Sequence, residues 1–255
     1  MINILKYIDR NFLNNSIGKI WFSIRSFYAS NFLLTSLPKN VNKEFRLKAR
    51  FDFFKRAQYY LQVNRIDGVY AEFGSHEVNT FRMSLQTLGL PFRPNRISKF
   101  YSFDSFQGMP EPEGIDKQKI WRKSMNFTSK EKFLKITKRD SHRVVAVKGF
   151  YEHSLPNYKW PKEDIIALAY IDCDYYESTK ECLNFIKDKL QHGALIAFDD
   201  WDCYYSDYQR GQKKAFSEFK ELLHEKNSFV EFSDIATGGR CFIILENNKI
   251  GKIIE

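Results

Sequence analysis

Two apolar runs in this chain each end in acids. Ile165 to Ile171 leads into Asp172-Cys173-Asp174, and Ala194-Leu195-Ile196-Ala197-Phe198 leads into Asp199-Asp200. Short runs with no polar alternation are what strands buried on both faces require, and such strands belong to parallel sheets covered by helices. In an open α/β sheet, ligands occupy the crevice beyond the carboxyl ends of the strands, so four carboxylates gathered there point to a divalent cation. A single Asp-Asp pair could instead cap a helix. Two sets of like charges on neighbouring strand ends would repel without a cation.

The rest of the chain alternates in the same way. Gly68 to Phe73 reads as a strand, followed by Gly74 and a helix over Thr80 to Leu88, with Gly89 as its stop. Lys99 to Phe103 is a second strand ending at Asp104, and the Pro- and Gly-rich segment from Gln107 to Gly114 is a loop. Thr128-Ser129-Lys130-Glu131 predicts a capping box opening a helix to about Lys138. Arg143 to Lys148 is a third strand, and Pro156 to Pro161 a loop. Leu183, Ile186 and Leu190 give a helical spacing that Gly193 would close as a C-cap. Gly211 to Lys226 is an amphipathic helix, and Phe229 to Phe232 with Cys241 to Leu245 form a closing pair of strands. The predicted fold is therefore α/β, a doubly wound and mostly parallel sheet with an antiparallel edge. Glu44 to about Gln62 is helical and leads into it, so residues 1–62 are expected to form an N-terminal helical extension and residues 63–255 the catalytic domain.

A chain of 255 residues, 43% apolar and 28% charged, has the composition of a globular protein with a sizeable core. The net charge of +9 is spread over scattered lysines offset by nearby acids, with no arginine block, which argues against a nucleic-acid surface. Four cysteines at spacings that fit neither a metal knuckle nor a disulfide framework suit a reducing cytoplasm. Met1 to Leu37 carries apolar residues at helical spacing but is interrupted by Lys6, Asp9, Arg10, Lys19 and Arg25, so it suits neither a membrane span nor a signal peptide. Three roles are open to this basic amphipathic segment: packing on the domain, which is favoured, a subunit interface in a homo-oligomer, or peripheral contact with a membrane surface.

Two positions suggest a nucleoside-like cofactor. Gly74, between a strand and a helix, lets a ligand approach the backbone where helix N–H groups are exposed. Asp104, at the end of the next strand, stands where nucleoside-binding α/β folds place an acid for ribose hydroxyls. Two or three carboxylates of the set Asp172, Asp174, Asp199 and Asp200 would hold Mg²⁺ in a shell with positions left open. His76 follows the glycine and reads as an exposed loop residue.

The segments Tyr170-Ile171-Asp172-Cys173-Asp174-Tyr175-Tyr176-Glu177-Ser178-Thr179 and Phe198-Asp199-Asp200-Trp201 resemble those of the macrocin O-methyltransferase (TylF-like) family. So do Asp104-Ser105-Phe106-Gln107-Gly108-Met109-Pro110, Lys148-Gly149-Phe150 and Gly211-Gln212-Lys213-Lys214-Ala215-Phe216. The resemblance spans about Gly68 to Glu246. It implies a Rossmann-like, S-adenosylmethionine-dependent and Mg²⁺-dependent O-methyltransferase acting on a sugar hydroxyl of a glycan or glycosylated metabolite. It also implies that Glu72, Gly74 and Ser75 line the methionine part of the cofactor, that Asp104 and Ser105 hold the ribose, and that Phe150 bounds the adenine. Asp172, Asp199 and Asp200 would bind the metal, with Asp172 or a neighbour as the base. The chain departs from the family in lacking a second glycine in the first turn, where Asn79 would replace backbone approach by side-chain hydrogen bonding.

Two other readings compete. An apolar strand ending in Asp-X-Asp also serves metal-dependent glycosyltransferases, although that leaves Asp199-Asp200 and the Gly74 turn unused. A non-catalytic protein docking to a membrane or partner would have no need of acids at both strand ends. Acceptor choice is expected to lie in the loop from Gln107 to Met125 and in the N-terminal segment.

Overall fold

The computed structural model describes residues 41–88, 97–236 and 238–252. The amphipathic segment Met1 to Leu37 and the proposed stop at Gly89 lie outside the described residues. Seven strands form one sheet in the order β3-β2-β1-β4-β5-β7-β6. They are β1 (Gly68–Phe73), β2 (Ile97–Asp104), β3 (Val144–Lys148), β4 (Ile166–Ile171), β5 (Leu190–Phe198), β6 (Asn227–Ile235) and β7 (Gly239–Glu246). The first five run parallel, and β7 is antiparallel to both β5 and β6. This is the predicted doubly wound sheet with antiparallel pairing at its end. Strand order reverses between β1 and β4, so the crevice of the fold opens at their carboxyl ends.

Alternation explains why the central strands are apolar throughout. Tyr70, Leu168, Tyr170, Leu195 and Ala197 pack on one face, with Phe53, Phe54, Ala57 and Leu61 of helix α1 (Val41–Val63), Phe81 of α2 (Asn79–Thr87) and Phe133 of α3 (Lys130–Thr137). Ala71, Ala169, Ile171, Ile196 and Phe198 pack on the other. There they meet Leu155 of α4 (Tyr151–Asn157), Leu183 and Ile186 of α5 (Tyr176–Ile186), and Ala215, Phe216 and Phe219 of α6 (Gly211–Leu223). Both faces are covered, so polar alternation would have cost burial on one side or the other. The described part of the N-terminal helical extension is thus one of the helices of the first layer. Its ring of Phe54 stacks on Tyr170 at 5.5 Å between centroids. Among the described residues, no helix is long and apolar enough to cross a membrane.

Three local expectations are corrected. Gly193 does not cap α5, which passes through a 3-10 turn at Lys187–Lys189 directly into β5. It lies within β5, where the pairing with β4 shifts from Ile166↔Leu190 to Leu168↔Leu195. The extra residues bulge the strand, and Gly193 takes φ +81° against the side chain of Ile66. Pro156 is not the start of a loop but sits in the last turn of α4. The cap of α3 is Ser129, whose hydroxyl accepts from the Lys132 N–H at 3.2 Å, while Thr128 accepts from the Glu77 N–H at 3.1 Å.

Candidate active site

Register builds the site. Phe103, Phe73, Ile171 and Phe198 lie side by side at the ends of β2, β1, β4 and β5. The next residues, Asp104, Gly74, Asp172 and Asp199, therefore form a row along the crevice. The ladder continues one step beyond the strands and fixes that row: Gly74 N–H donates to Phe103 O at 2.9 Å, Asp172 N–H to Phe73 O at 2.8 Å and Asp199 N–H to Ile171 O at 3.0 Å.

A cavity of about 580 Å³ opens over the row. Of the residues expected to bind a cofactor, Gly74, Ser75, Asp104, Ser105 and Phe150 line it, together with Asp172. Gly74 has φ +90°, and any Cβ there would fall 1.9 Å from the Asp172 carbonyl oxygen. Asp104 accepts the Ser75 N–H at 2.7 Å through Oδ2 and the Phe106 N–H at 2.5 Å through Oδ1. Burial pushes its carboxyl up, and these two backbone donors work against that shift. Among the described residues, Ser75 and Phe106 take one lone pair on each oxygen, and the second could serve ribose hydroxyls. Ser75 is itself buried, sharing a hydrogen bond of 2.8 Å with Ser102 Oγ.

Two residues of the expected cofactor set lie elsewhere. Glu72 is fully buried beneath the first turn, accepting hydrogen bonds from Tyr70 Oη and, at 2.9 Å, Thr80 Oγ1. Desolvation raises its pKa to about 8, so it is a neutral acid tying β1 to α2. It is not a lining residue because its side chain points into the helix-covered face on which Tyr70 packs. Asn79 opens α2 and spends its amide on Glu77 Oε2 at 3.0 Å, also away from the cavity lining. His76 does line it, exposed as expected.

The second part of the site lies beside Asp172. One carboxylate oxygen from each of Asp172, Asp199 and Asp200 fits within a sphere of mutual distances under 4.8 Å. Asp174 adjoins them: its N–H donates to Asp200 Oδ2 at 3.2 Å, and its left-handed φ of 59° is one that aspartate tolerates. Desolvation and then the neighbouring carboxylates push Asp172, Asp174 and Asp200 well above the usual carboxylate range. The principal counter-charge is Arg50. Four crowded carboxylates facing one guanidinium are short of positive charge, and an all-oxygen donor set suits a hard divalent cation. The residues fit Mg²⁺.

Four residues that shape the site were given no role from the sequence. Arg50 of α1 grips Asp199 by both oxygens, Nε to Oδ1 at 2.8 Å and Nη2 to Oδ2, and Tyr170 Oη donates to the same Oδ1 at 2.5 Å. Desolvation opposes the charge on Arg50, yet Asp199 outweighs it and raises the guanidinium pKa. A signal existed. Leu47, Arg50, Phe54, Ala57 and Leu61 fall at helical spacing, so the arginine occupies a place on the apolar face. Gln212 is buried at the start of α6, where Oε1 accepts the Asp200 N–H at 2.9 Å and Nε2 donates to Ile171 O at 3.1 Å. It thereby fastens the ends of β4 and β5 together. Asp116 caps α5 from the loop after β2, accepting the Tyr176 N–H at 2.6 Å and the Glu177 N–H at 3.2 Å. Arg210 donates to Ile115 O at 2.7 Å and Lys117 O at 2.8 Å, pinning that same loop over the acids.

The chain is similar to known O-methyltransferases in family and fold. The family profile described as Macrocin-O-methyltransferase (TylF) matches residues 45–231. No curated protein matches the sequence. Similar solved structures include the O-methyltransferase NovP, with 20% sequence identity, 76% of this chain and 79% of that chain covered, and a TM-score of 0.58. The calicheamicin methyltransferase CalS11 is 21% identical, with 87% and 91% covered and a TM-score of 0.59. A second CalS11 structure, described as a TDP-rhamnose 3'-O-methyltransferase, is 21% identical over 87% and 93%, with a TM-score of 0.55. At these identities the structural likeness carries the fold.

Proposed function

The chain belongs to the macrocin-O-methyltransferase (TylF) family of S-adenosylmethionine-dependent O-methyltransferases, and from that premise we propose that it methylates a sugar hydroxyl with the help of Mg²⁺ held by Asp172, Asp199 and Asp200. The observation that carries this reading is the convergence of those three carboxylates next to a cavity that Asp172 itself lines. A sugar acceptor is also what CalS11 is described as using. Bound cofactor supplies a methyl group on a sulfonium, and bound Mg²⁺ supplies Lewis acidity that lowers a hydroxyl pKa.

The chain's own residues do the rest. Gly74 would give the cofactor a wall without a side chain, and Ser75, Asp104, Ser105 and Phe150 would hold it from the rest of the cavity lining. The described lining carries acids and neither lysine nor arginine, a lining suited to a positively charged sulfonium. Asp172, with Asp174 beside it, accepts the acceptor's proton as the oxygen forms its bond to the methyl carbon. S-adenosylmethionine, once bound, would supply the methyl group and would retain the sulfur's electron pair as neutral S-adenosylhomocysteine. Holding oxygen and methyl at attack distance supplies much of the acceleration.

The test pairs binding with transfer. Calorimetry is expected to show S-adenosylmethionine binding, and label from its methyl group should reach a free or nucleotide-linked sugar in a reaction that EDTA stops and Mg²⁺ restores. Binding without metal dependence would remove Mg²⁺ from the proposal, and absence of binding would overturn it.

A further inference from the structure

Asp199 is the most constrained carboxylate of the acidic cluster. A carboxylate oxygen accepts at two lone pairs. Oδ1 uses both, one on Arg50 Nε at 2.8 Å and one on Tyr170 Oη at 2.5 Å, while Oδ2 uses one on Arg50 Nη2. Among the described residues, one lone pair of Asp199, on Oδ2, remains free. Arg50 reaches it from α1, whose Phe53 and Phe54 are fully buried against the sheet, and the Tyr170 ring stacks on Phe54. Neither donor can move off without disturbing the core, so the orientation of Asp199 is built into the fold.

Cations differ in what they ask of a carboxylate. Ca²⁺ takes six to eight oxygens and commonly uses both oxygens of one carboxylate, whereas Mg²⁺ holds to an octahedron of single oxygens. Resting on the metal reading above, we infer that Arg50 and Tyr170 are positioning residues that select the small octahedral cation over Ca²⁺, by leaving Asp199 able to offer one oxygen only. Arg50 also subtracts one negative charge from the cluster. That effect acts equally on two cations of equal charge and drops out of their ratio.

The experiment is calorimetric titration of the full chain with MgCl₂ and, separately, with CaCl₂, for wild type, Tyr170→Phe, Arg50→Lys and Arg50→Gln. Tyr170→Phe frees a lone pair on Oδ1 while Arg50 stays in place, so it is the least disruptive variant. The preference for Mg²⁺ over Ca²⁺ should narrow about tenfold in Tyr170→Phe and Arg50→Gln, the lower end of the ~10–100-fold range for loss of an outer partner of a metal ligand. Arg50→Lys, which keeps the charge but cannot span both oxygens, should also narrow it. If Mg²⁺ and Ca²⁺ affinities change by the same factor in Tyr170→Phe and Arg50→Lys, the inference is wrong and Arg50 acts through charge or stability alone. If wild type binds neither cation, the metal reading itself fails and this inference with it. Should Arg50→Gln prove unfolded by circular dichroism, Tyr170→Phe and Arg50→Lys decide the matter.

Discussion

The α-carbon of Gly74 sits so close to Asp172 that a Cβ at Gly74 would lie 1.9 Å from the Asp172 carbonyl oxygen. The turn after β1 and the end of β4 thus meet in one gap, and Gly74, Asp172 and Asp174 all line the cavity there. Gly74→Ala must open that gap or abandon φ +90°, a conformation costly for alanine. Affinity for S-adenosylmethionine should fall at least about tenfold, equivalent to ~1.4 kcal/mol, as read by calorimetry. Unchanged affinity would mean the turn does not border the cofactor.

Asp200→Asn keeps the shape and removes one charge. A metal acting as Lewis acid contributes several kcal/mol to the barrier, so turnover should drop by at least about 100-fold. Binding of S-adenosylhomocysteine, measured in parallel, should stay within a few-fold of wild type because Asp200 is not among the cavity-lining residues. Loss of both together would mean that the substitution has collapsed the crevice.

Gln212→Leu removes the clamp between β4 and β5. It strands the Asp200 N–H, and one unsatisfied buried donor costs about 1–3 kcal/mol, while the Ile171 carbonyl keeps the Asp199 N–H. Urea denaturation should show a loss of roughly 1–3 kcal/mol. Turnover should fall further than cofactor affinity, since Asp200 loses its anchor. A variant as stable as wild type would show that the clamp contributes nothing.

Glu72 gives stability a pH dependence of definite sign. Its carboxyl titrates near 8 in the folded chain against 4.5 for an unperturbed glutamate. The folded state therefore keeps a proton that the unfolded state releases. The contribution is fully present below about pH 4.5, declines as pH rises, and is gone above about pH 8, a span of at most ~5 kcal/mol. Glu72→Gln, which mimics the neutral acid, should remove this slope. Comparing denaturation midpoints of the two proteins between pH 5 and pH 8.5 tests it: a constant difference would contradict the assignment.

The sheet was legible in the sequence because burial on two faces forces a distinctive pattern: no strand with Ile171 or Phe198 at its end could be half solvated. The acids after those strands were legible for the same reason, since charge follows abruptly on an apolar run. Gly193 was misread because a glycine after a helix and a glycine in a strand bulge look alike until pairing register is known. Glu72 was given a cofactor role by the resemblance alone, whereas strand alternation turns it to the same side as Tyr70 and out of the cavity lining. Arg50 and Gln212 act across gaps of 149 and 12 residues, on Asp199 and Asp200 respectively, and no local pattern encodes such pairs. Arg50 did leave a trace as the one charge at its place in the series Leu47, Arg50, Phe54, Ala57 and Leu61.

The most direct measurement is an anomalous difference map from crystals grown with S-adenosylhomocysteine and Mn²⁺, which substitutes for Mg²⁺ at oxygen sites. The account predicts one strong peak bounded by Asp172, Asp199 and Asp200, with carboxylate oxygens at about 2.0–2.2 Å and Asp199 contributing a single oxygen. A map with no peak there, or with the ion bound elsewhere while the three carboxylates stay empty, would contradict it.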